Sequence, residues 1–406
     1  MAHDTEVLVV GGGATGAGVA RDLSLRGRDV TLVDRDGLTH GATARSHGLL
    51  HSGARYAEAD ADGAEECIAE NRTLREIAAA CVSDTGGMFV RLAGDDPDYF
   101  EDKRAACEGI GIPTEVVDGD EARALVPGLS GDVERAMRVP DAVVSPSRLV
   151  AANARGATER GAIVYPDAPV EGIRVEDGEV AGVAVSGAVD DTIRPEMVVN
   201  ATGAWAGELA AMAGATVEMR PTRGLMVSVD HADLGVVLNR SREPDDGDIA
   251  VPHEREAVLG TTSVAVDDPD DYERADWERD RVREECAAMY PAVADAPRVR
   301  EWWGVRPLYE PDESARGGRG ISRGFFLLDH ADEGVGNLLS VVGGKLTTYR
   351  LMAEATADAV CDRLGVDEPC RTTEVPLPGA SDPETLDEFV ADLGGPGPSD
   401  SDVVTK

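Results

Sequence analysis

Only three lysines occur in the 406 residues: Lys103, Lys345 and Lys406. Lys345 follows Gly343-Gly344 and precedes Leu346-Thr347-Thr348, which opens a helix expected to run to Leu364. A cation at a helix N-terminus opposes the helix dipole, so Lys345 is expected to meet something anionic there. Arg55, Arg223, Arg306 and Arg323 sit in Gly- or Pro-flanked sequence rather than on a helix face. Guanidinium suits bidentate binding of phosphate or carboxylate. Taken singly each reads as a surface arginine, and an acidic chain needs several of them converging to hold an anion. His51 lies in the run from Gly41 to Tyr56, where two histidines, two arginines and a tyrosine stand among small residues. Such a run reads as backbone pressed against a ligand. Titration near neutrality makes His51 a general base or a substrate hydrogen-bond donor, with a structural imidazole as the alternative. His47 and His330 read as structural, and Tyr56 as packing.

Elements able to position these groups begin at the N-terminus. Glu6–Val10 is a short apolar strand, Ala17–Arg26 is helix-compatible, and Asp29–Asp34 is a second buried strand. Between the first strand and the helix, Gly11, Gly13 and Gly16 fit the pattern G-x-G-x-x-G. Gly11 permits the sharp turn, Gly13 lets a pyrophosphate approach the backbone, and Gly16 lets helix and strand pack closely. The N–H groups at the helix start hold phosphate charge. Asp34, ending the second strand, suits hydrogen bonds from ribose hydroxyls. The unit implies a bound dinucleotide without separating NAD from FAD. Pro195–Asn200 is another buried strand and runs into Ala201-Thr202-Gly203, a second place where backbone could touch a dinucleotide.

The remaining elements suggest two parts. Helices are expected over Ala64–Ala80, Tyr99–Gly109, Asp118–Val126 and Pro146–Arg160, with a hairpin turned at Asp177-Gly178. From Val217 to Val305 short strands and one helix, Asp276–Tyr290, imply a mostly antiparallel sheet. We therefore expect a discontinuous dinucleotide-binding domain over 1–80, 141–216 and 305–375. A substrate or cap domain would span 81–140 and 217–304, followed by a flexible tail over 376–406. Net charge is −38, from 77 acidic and 39 basic residues. That argues against nucleic acid and suits a protein kept soluble at high salt, so a halophilic source is expected. The six cysteines show no C-x-x-C spacing, and no metal site is expected. No apolar run reaches membrane-spanning length and the N-terminus has no signal-like segment, so a cytoplasmic location is expected.

With these residues assembled, the chain resembles the FAD-dependent glycerol-3-phosphate dehydrogenases, above all the A subunit of the anaerobic type and its haloarchaeal relatives. The stretches carrying the resemblance are VVGGGATGAGVARDLSLRG, LVDRDGLTHGATARSHGLLHSGARY, VVNATGAWAG, WWGVRPL, ISRGFFLLDH and VVGGKLTTYR, spread over residues 5 to 365. HSGARY, GVRPL and GGKLTTYR separate this family from the amine and amino-acid oxidases of the same fold.

The resemblance implies an α/β fold: a Rossmann-like FAD-binding domain of the glutathione-reductase/D-amino-acid-oxidase type with an inserted antiparallel-sheet substrate domain. Gly11, Gly13, Ala14, Thr15, Gly16, Asp34 and Arg35 would hold the adenosine part of FAD. Thr43, Ser46 and His47 would lie along the cofactor toward the flavin, with Val170 and Ala201-Thr202-Gly203 beside them. Gly344, Leu346, Thr347 and Thr348 would adjoin the flavin, where N–H groups at a helix start could stabilise negative charge on the reduced ring by a few tenths to about 1 kcal/mol. Arg55, Tyr56, Arg306, Arg323 and Lys345 would line the glycerol 3-phosphate site. His51 would take the hydroxyl proton as hydride passes to the flavin, with Lys345 and Arg306 steadying the alkoxide. The product would be dihydroxyacetone phosphate, and electrons would pass to a quinone or to partner subunits, with peripheral membrane association. Two other readings stand beside it: a related flavoenzyme oxidising an amino or hydroxy acid, and a non-catalytic FAD-binding subunit. Two features depart from the family. Asp34 stands where Glu is more usual, and after Gly379 a polar tail runs on without the cysteine motif its A subunits usually carry.

Overall fold

The computed structural model describes residues 2–231, 233–253, 255–309 and 324–393. Among them are nine helices: α1 Ala14–Leu25, α2 Ala61–Ile77, α3 Pro97–Ile110, α4 Gly119–Leu125, α5 Pro146–Thr158, α6 Ala206–Met212, α7 Asp276–Met289, α8 Tyr349–Leu364 and α9 Pro383–Asp392. The starts carry side-chain caps where the sequence offers them: Asp60 for α2, Asp96 for α3 and Ser145 for α5. α1 begins at Ala14 rather than at Ala17, so its first turn belongs to the glycine turn itself.

One sheet runs in the order Val170–Glu176, Glu179–Val185, Asp191–Asn200, Ala2–Val10, Val30–Val33 and Ile163–Tyr165. Ala2–Val10 pairs in parallel with both Val30–Val33 and Asp191–Asn200. Leu338–Gly343 joins the last turn of Asp191–Asn200 in parallel and carries Phe325–Asp329 antiparallel on its other edge. The C-terminal ends of three parallel strands therefore open on one edge, at Val10, Asn200 and Gly343. α1 lies between α5 and α8 on one face, where Leu23, Val150 and Val360 are fully buried. The hairpin turns at Asp177 and Gly178, both at positive φ, and closes the opposite face with α6.

A nine-stranded sheet forms the second layer. Its backbone is Thr222–Asp230, flanked by Glu256–Gly260 and Arg298–Arg306 and covered by α7 through Val282, Cys286 and Met289. Val237–Arg240 pairs in parallel with Gly87–Leu92, and through it Val133–Val139 and Glu115–Asp118 join the same sheet. The strand Val133–Val139 was not foreseen, because three of its seven residues are charged and only the alternating Val133, Met137 and Val139 mark a half-buried strand.

The expected flexible tail needs correction over residues 376–393. Leu386 of α9 is buried in the core that α1, α5 and α8 share, Val390 is buried as well, and Arg148 of α5 grips Asp387 with two bonds of 2.7 and 2.9 Å. The Pro- and Asp-rich composition hides a short amphipathic helix, with Asp382 at its N-cap and Pro383 at its first position. Residues 394–406 lie outside the described ones. All six cysteines are free. Among the described residues no group of acids, histidines and cysteines could hold a metal, and no helix is long and apolar enough to cross a membrane.

Truncating the α9 anchor by Leu386→Ala is expected to lower unfolding free energy by about 2–4 kcal/mol in denaturant titration, the usual cost of such a core deletion. A change below about 0.5 kcal/mol, ordinary for an exposed site, means that α9 does not dock.

Candidate active site

Two chain segments meet at the glycine turn without room for side chains. Gly11 has φ +112°, and a Cβ there would stand 2.5 Å from the Ala201 carbonyl oxygen. A Cβ on Gly16 would stand 1.9 Å from the Gly11 oxygen. The two backbone turns expected to touch a dinucleotide are thus in contact with each other, and Gly16 packs beneath the turn rather than on its open side.

Around this point lies a cleft of about 570 Å³, within the usual range for small-molecule sites. Gly11, Gly13, Ala14 and Thr15 line it, as do Asp34, Arg35 and Thr43. Val170 and the Ala201-Thr202-Gly203 turn complete that side. The Ala14 N–H donates to Thr43 Oγ1 at 3.1 Å, so the loop after the second strand is tied to the helix start. Asp34 accepts from the Gly12 N–H at 2.5 Å and the Asp36 N–H at 2.9 Å. Burial pushes its carboxyl up to about 6, with those two donors pulling the other way.

The facing wall comes from the second sheet and the loop that leads into α7, and supplies residues that the sequence did not assign. Trp302, Trp303, Tyr272 and Arg274 line it, and Arg45 adds a cation from the loop below. Arg35 clasps Asp270 with bonds of 2.9 and 3.1 Å and lies over the Trp205 ring, whose Nε1 also donates to Asp270. Burial raises the Asp270 carboxyl, but these donors outweigh it and hold the group below the ordinary range. The Trp302-Trp303 pair, rare in a chain with four tryptophans, was the available signal.

A second group forms where Gly343, itself on the cleft wall, leads into Lys345. The His51 N–H donates to Thr347 Oγ1 at 3.0 Å, and His51 Nε2 lies 3.3 Å from the Tyr56 hydroxyl. Lys345 Nζ sits 4.8 Å from the centre of the Tyr56 ring. That ammonium is buried, and it has no hydrogen-bond acceptor among the described residues. Lys345, His51 and Tyr56 are therefore brought together although 294 positions separate Lys345 from His51 along the chain.

Other expected contacts fall elsewhere. The buried Arg223 is paired with Glu278, which is fully buried and also accepts from Thr262, so the charge of Arg223 is already matched by a carboxylate of the second sheet's own layer. Arg306 donates to Thr261 Oγ1 and the Thr262 carbonyl, both at 3.0 Å, while its neighbours Val305 and Pro307 line the cleft. Arg55 leans toward buried Asp248 at 3.7 Å. Ser46, His47, Gly344, Leu346, Thr347 and Thr348 are not among the residues lining this cleft, and neither are His51, Arg55, Tyr56, Arg306 and Lys345. Ser46 Oγ donates to the Thr43 carbonyl, the His47 carbonyl binds His253, and Thr348 turns back to the Lys345 carbonyl. Gly344 and Leu346 pack inward, Gly344 against Met352 and Leu346 against the first core. Arg323 lies outside the described residues.

Residues 6–350 match the family described as FAD dependent oxidoreductase. The chain belongs to that family. It is 49% identical to the A1 subunit of the anaerobic glycerol-3-phosphate dehydrogenase of Haloferax volcanii, over 97% of this chain and 70% of that one. It is 42% identical to the corresponding A subunit of Escherichia coli K12, over 94% of this chain and 71% of that one. Among solved structures, the fold matches a glycerol-3-phosphate dehydrogenase from Bacillus halodurans complexed with FAD, with TM-score 0.73, 24% identity and coverage of 96% and 73%. Glycine oxidase from Geobacillus kaustophilus shares the fold equally well, with TM-score 0.72, 23% identity and coverage of 89% and 95%. FAD is the cofactor of this oxidoreductase, and the open glycine backbone, the helix start and the acid at the strand end fit a dinucleotide on this wall.

An ionised Asp34 can accept from ribose hydroxyls, whereas the neutral acid gives up acceptor capacity. FAD affinity is therefore expected to fall as pH drops through about 6, by up to about tenfold per pH unit, and Asp34→Asn to flatten that dependence. Flavin fluorescence titration of the reconstituted protein measures it. The raised value also means that ionised Asp34 costs the cofactor-free fold stability above that pH, a cost that fades as the group protonates.

Proposed function

We propose that this chain oxidises sn-glycerol 3-phosphate to dihydroxyacetone phosphate and passes the electrons to a quinone or to a partner protein. The observation that carries the reading is Lys345: a buried ammonium with no acceptor among the described residues, stacked on Tyr56 beside His51, next to the edge of the dinucleotide cleft. An anionic substrate supplies the hydrogen-bond acceptor that this ammonium lacks. Bound FAD supplies the two-electron acceptor for the hydrogen on the secondary alcohol carbon.

The chain's own groups do the rest. His51 Nε2 takes the hydroxyl proton, with its backbone held by Thr347 and its ring against Tyr56. Lys345 and Arg306 steady the charge developing on the substrate oxygen. Arg55, Tyr56 and Arg323 complete the phosphate site. Val305 and Pro307, beside Arg306, and Gly343, two residues before Lys345, line the same cleft from its two sides, which supports Lys345 and Arg306 acting on one substrate. Residues 1–80, 141–216 and 305–375 serve as the FAD-binding part, and 81–140 with 217–304 as the substrate part, each built around its own sheet. The relatives from Haloferax volcanii and Escherichia coli are named as single subunits of their enzymes, and in this reading the chain works with other subunits.

Anaerobic addition of glycerol 3-phosphate is expected to bleach the bound FAD. Lys345→Met is expected to slow bleaching by about two orders of magnitude or more while FAD stays bound, the scale of losing one preorganised charge. Bleaching by amino or hydroxy acids with none by glycerol 3-phosphate would overturn the reading.

A further inference from the structure

The second internal lysine, Lys103, lies on α3 in a stretch that shows no chemistry in the sequence. Its side chain is only 2% exposed. Nζ donates to the Ala54 carbonyl at 3.2 Å and to Glu58 Oε2 at 2.7 Å. The rings of Phe89 and Tyr99 lie 5.1 and 5.2 Å away. Ala54, Ala57, Phe100 and Cys107 form the apolar cluster around it. Burial lowers the proton affinity of this amine, against the pull of Glu58. A methionine of similar length would fill the space without that desolvation. Packing alone therefore does not account for an ammonium here, in a chain that otherwise uses arginine almost throughout.

What the ammonium holds is specific. Ala54 and Glu58 bracket Arg55 and Tyr56. The first half of the same loop is fastened by other buried groups: Asp141 accepts from the Ser52 N–H at 2.7 Å, and Asn71 donates to the carbonyls of Leu50 and His51, both at 3.3 Å. Gly53 turns the chain at φ +93°, against the Ala64 carbonyl. Beyond that turn, Lys103 fastens the two ends of the second half, Ala54 and Glu58, while Asp248 faces the Arg55 side chain and Lys345 the Tyr56 ring.

We propose that Lys103 is a positioning residue: by tying the Ala54 carbonyl to the Glu58 carboxylate across α3, it fixes Arg55 and Tyr56 for the anionic group of the substrate. The proposal rests on the reading of Arg55, Tyr56 and Lys345 as the glycerol 3-phosphate site. Lys103 touches neither substrate nor cofactor in this account, so its loss acts on substrate capture rather than on the chemical step.

The test compares Lys103→Met, Lys103→Arg and Glu58→Gln in the FAD-loaded protein. Steady-state rates with glycerol 3-phosphate and a dye acceptor are measured, together with FAD content and amide hydrogen exchange. Lys103→Met is expected to raise KM about tenfold or more, with kcat within about threefold and FAD content unchanged. Lys103→Arg restores most of the KM, and Glu58→Gln raises it by a smaller factor. Exchange of amides in 54–58 quickens in Lys103→Met while that of α3 does not. Unchanged KM in Lys103→Met overturns the proposal, as does a parallel fall of kcat, FAD content and melting temperature that Lys103→Arg does not rescue. If Lys103→Met does not fold, an unaltered KM in Glu58→Gln is the overturning result. A wild type inert toward glycerol 3-phosphate defeats the functional reading instead, and the exchange arm still decides the clamp: unchanged exchange at 54–58 overturns it.

Discussion

Gly11, Gly16 and Ala201 meet so closely that no side chain larger than hydrogen fits at either glycine. The rest of the architecture depends on that contact. It brings the ends of Ala2–Val10 and Asp191–Asn200 level, seats α1 directly on the turn, and so leaves a helix start exposed at the edge of a parallel sheet. Parallel strands in register place their C-terminal ends side by side, and an open crevice forms where the connections diverge. Leu338–Gly343 extends the same edge, which is why Lys345, nearly at the other end of the chain, reaches the neighbourhood of the N-terminal turn.

Charge is the second constraint. In so acidic a chain most arginines are neutralised where they stand: Arg223 by Glu278, Arg240 by Asp95 and Glu285, Arg350 by Glu70. These pairs are buried or half-buried, and each arginine so engaged contributes to structure rather than to capture of an anion. Lys345 differs, being buried without an acceptor among the described residues. The Arg350–Glu70 pair also bolts the helix that follows Lys345 to α2, which follows the His51–Tyr56 loop. An ion pair distant from the chemistry thus ties together the two segments that carry the proposed site.

Legibility followed the range of the interactions. The glycine spacing, Asp34 and the Asp177-Gly178 hairpin depend on neighbours within a few residues, and the folded chain has each of them where local rules put it. Val133–Val139 was hidden because its exposed face is charged and its partner, Gly87–Leu92, lies far back in the sequence. The helix α9 was hidden by its composition, since only docking against α5 makes its few apolar residues decisive. Among the arginines, Arg223 and Arg306 look alike in sequence, both flanked by Gly or Pro. Only their partners distinguish a residue locked to a buried glutamate from one beside the cleft wall.

By itself, then, the sequence determined the dinucleotide turn, the family and the types of residue available for the chemistry, because these rest on backbone conformations and short motifs encoded locally. Tertiary structure alone decided which arginines are locked in buried ion pairs, that Trp302 and Tyr272 face the glycine turn, and that Lys103 reaches the loop carrying Arg55 and Tyr56. Pairing of charges and closure of a cavity are set by which distant segments pack together, and no local pattern records that.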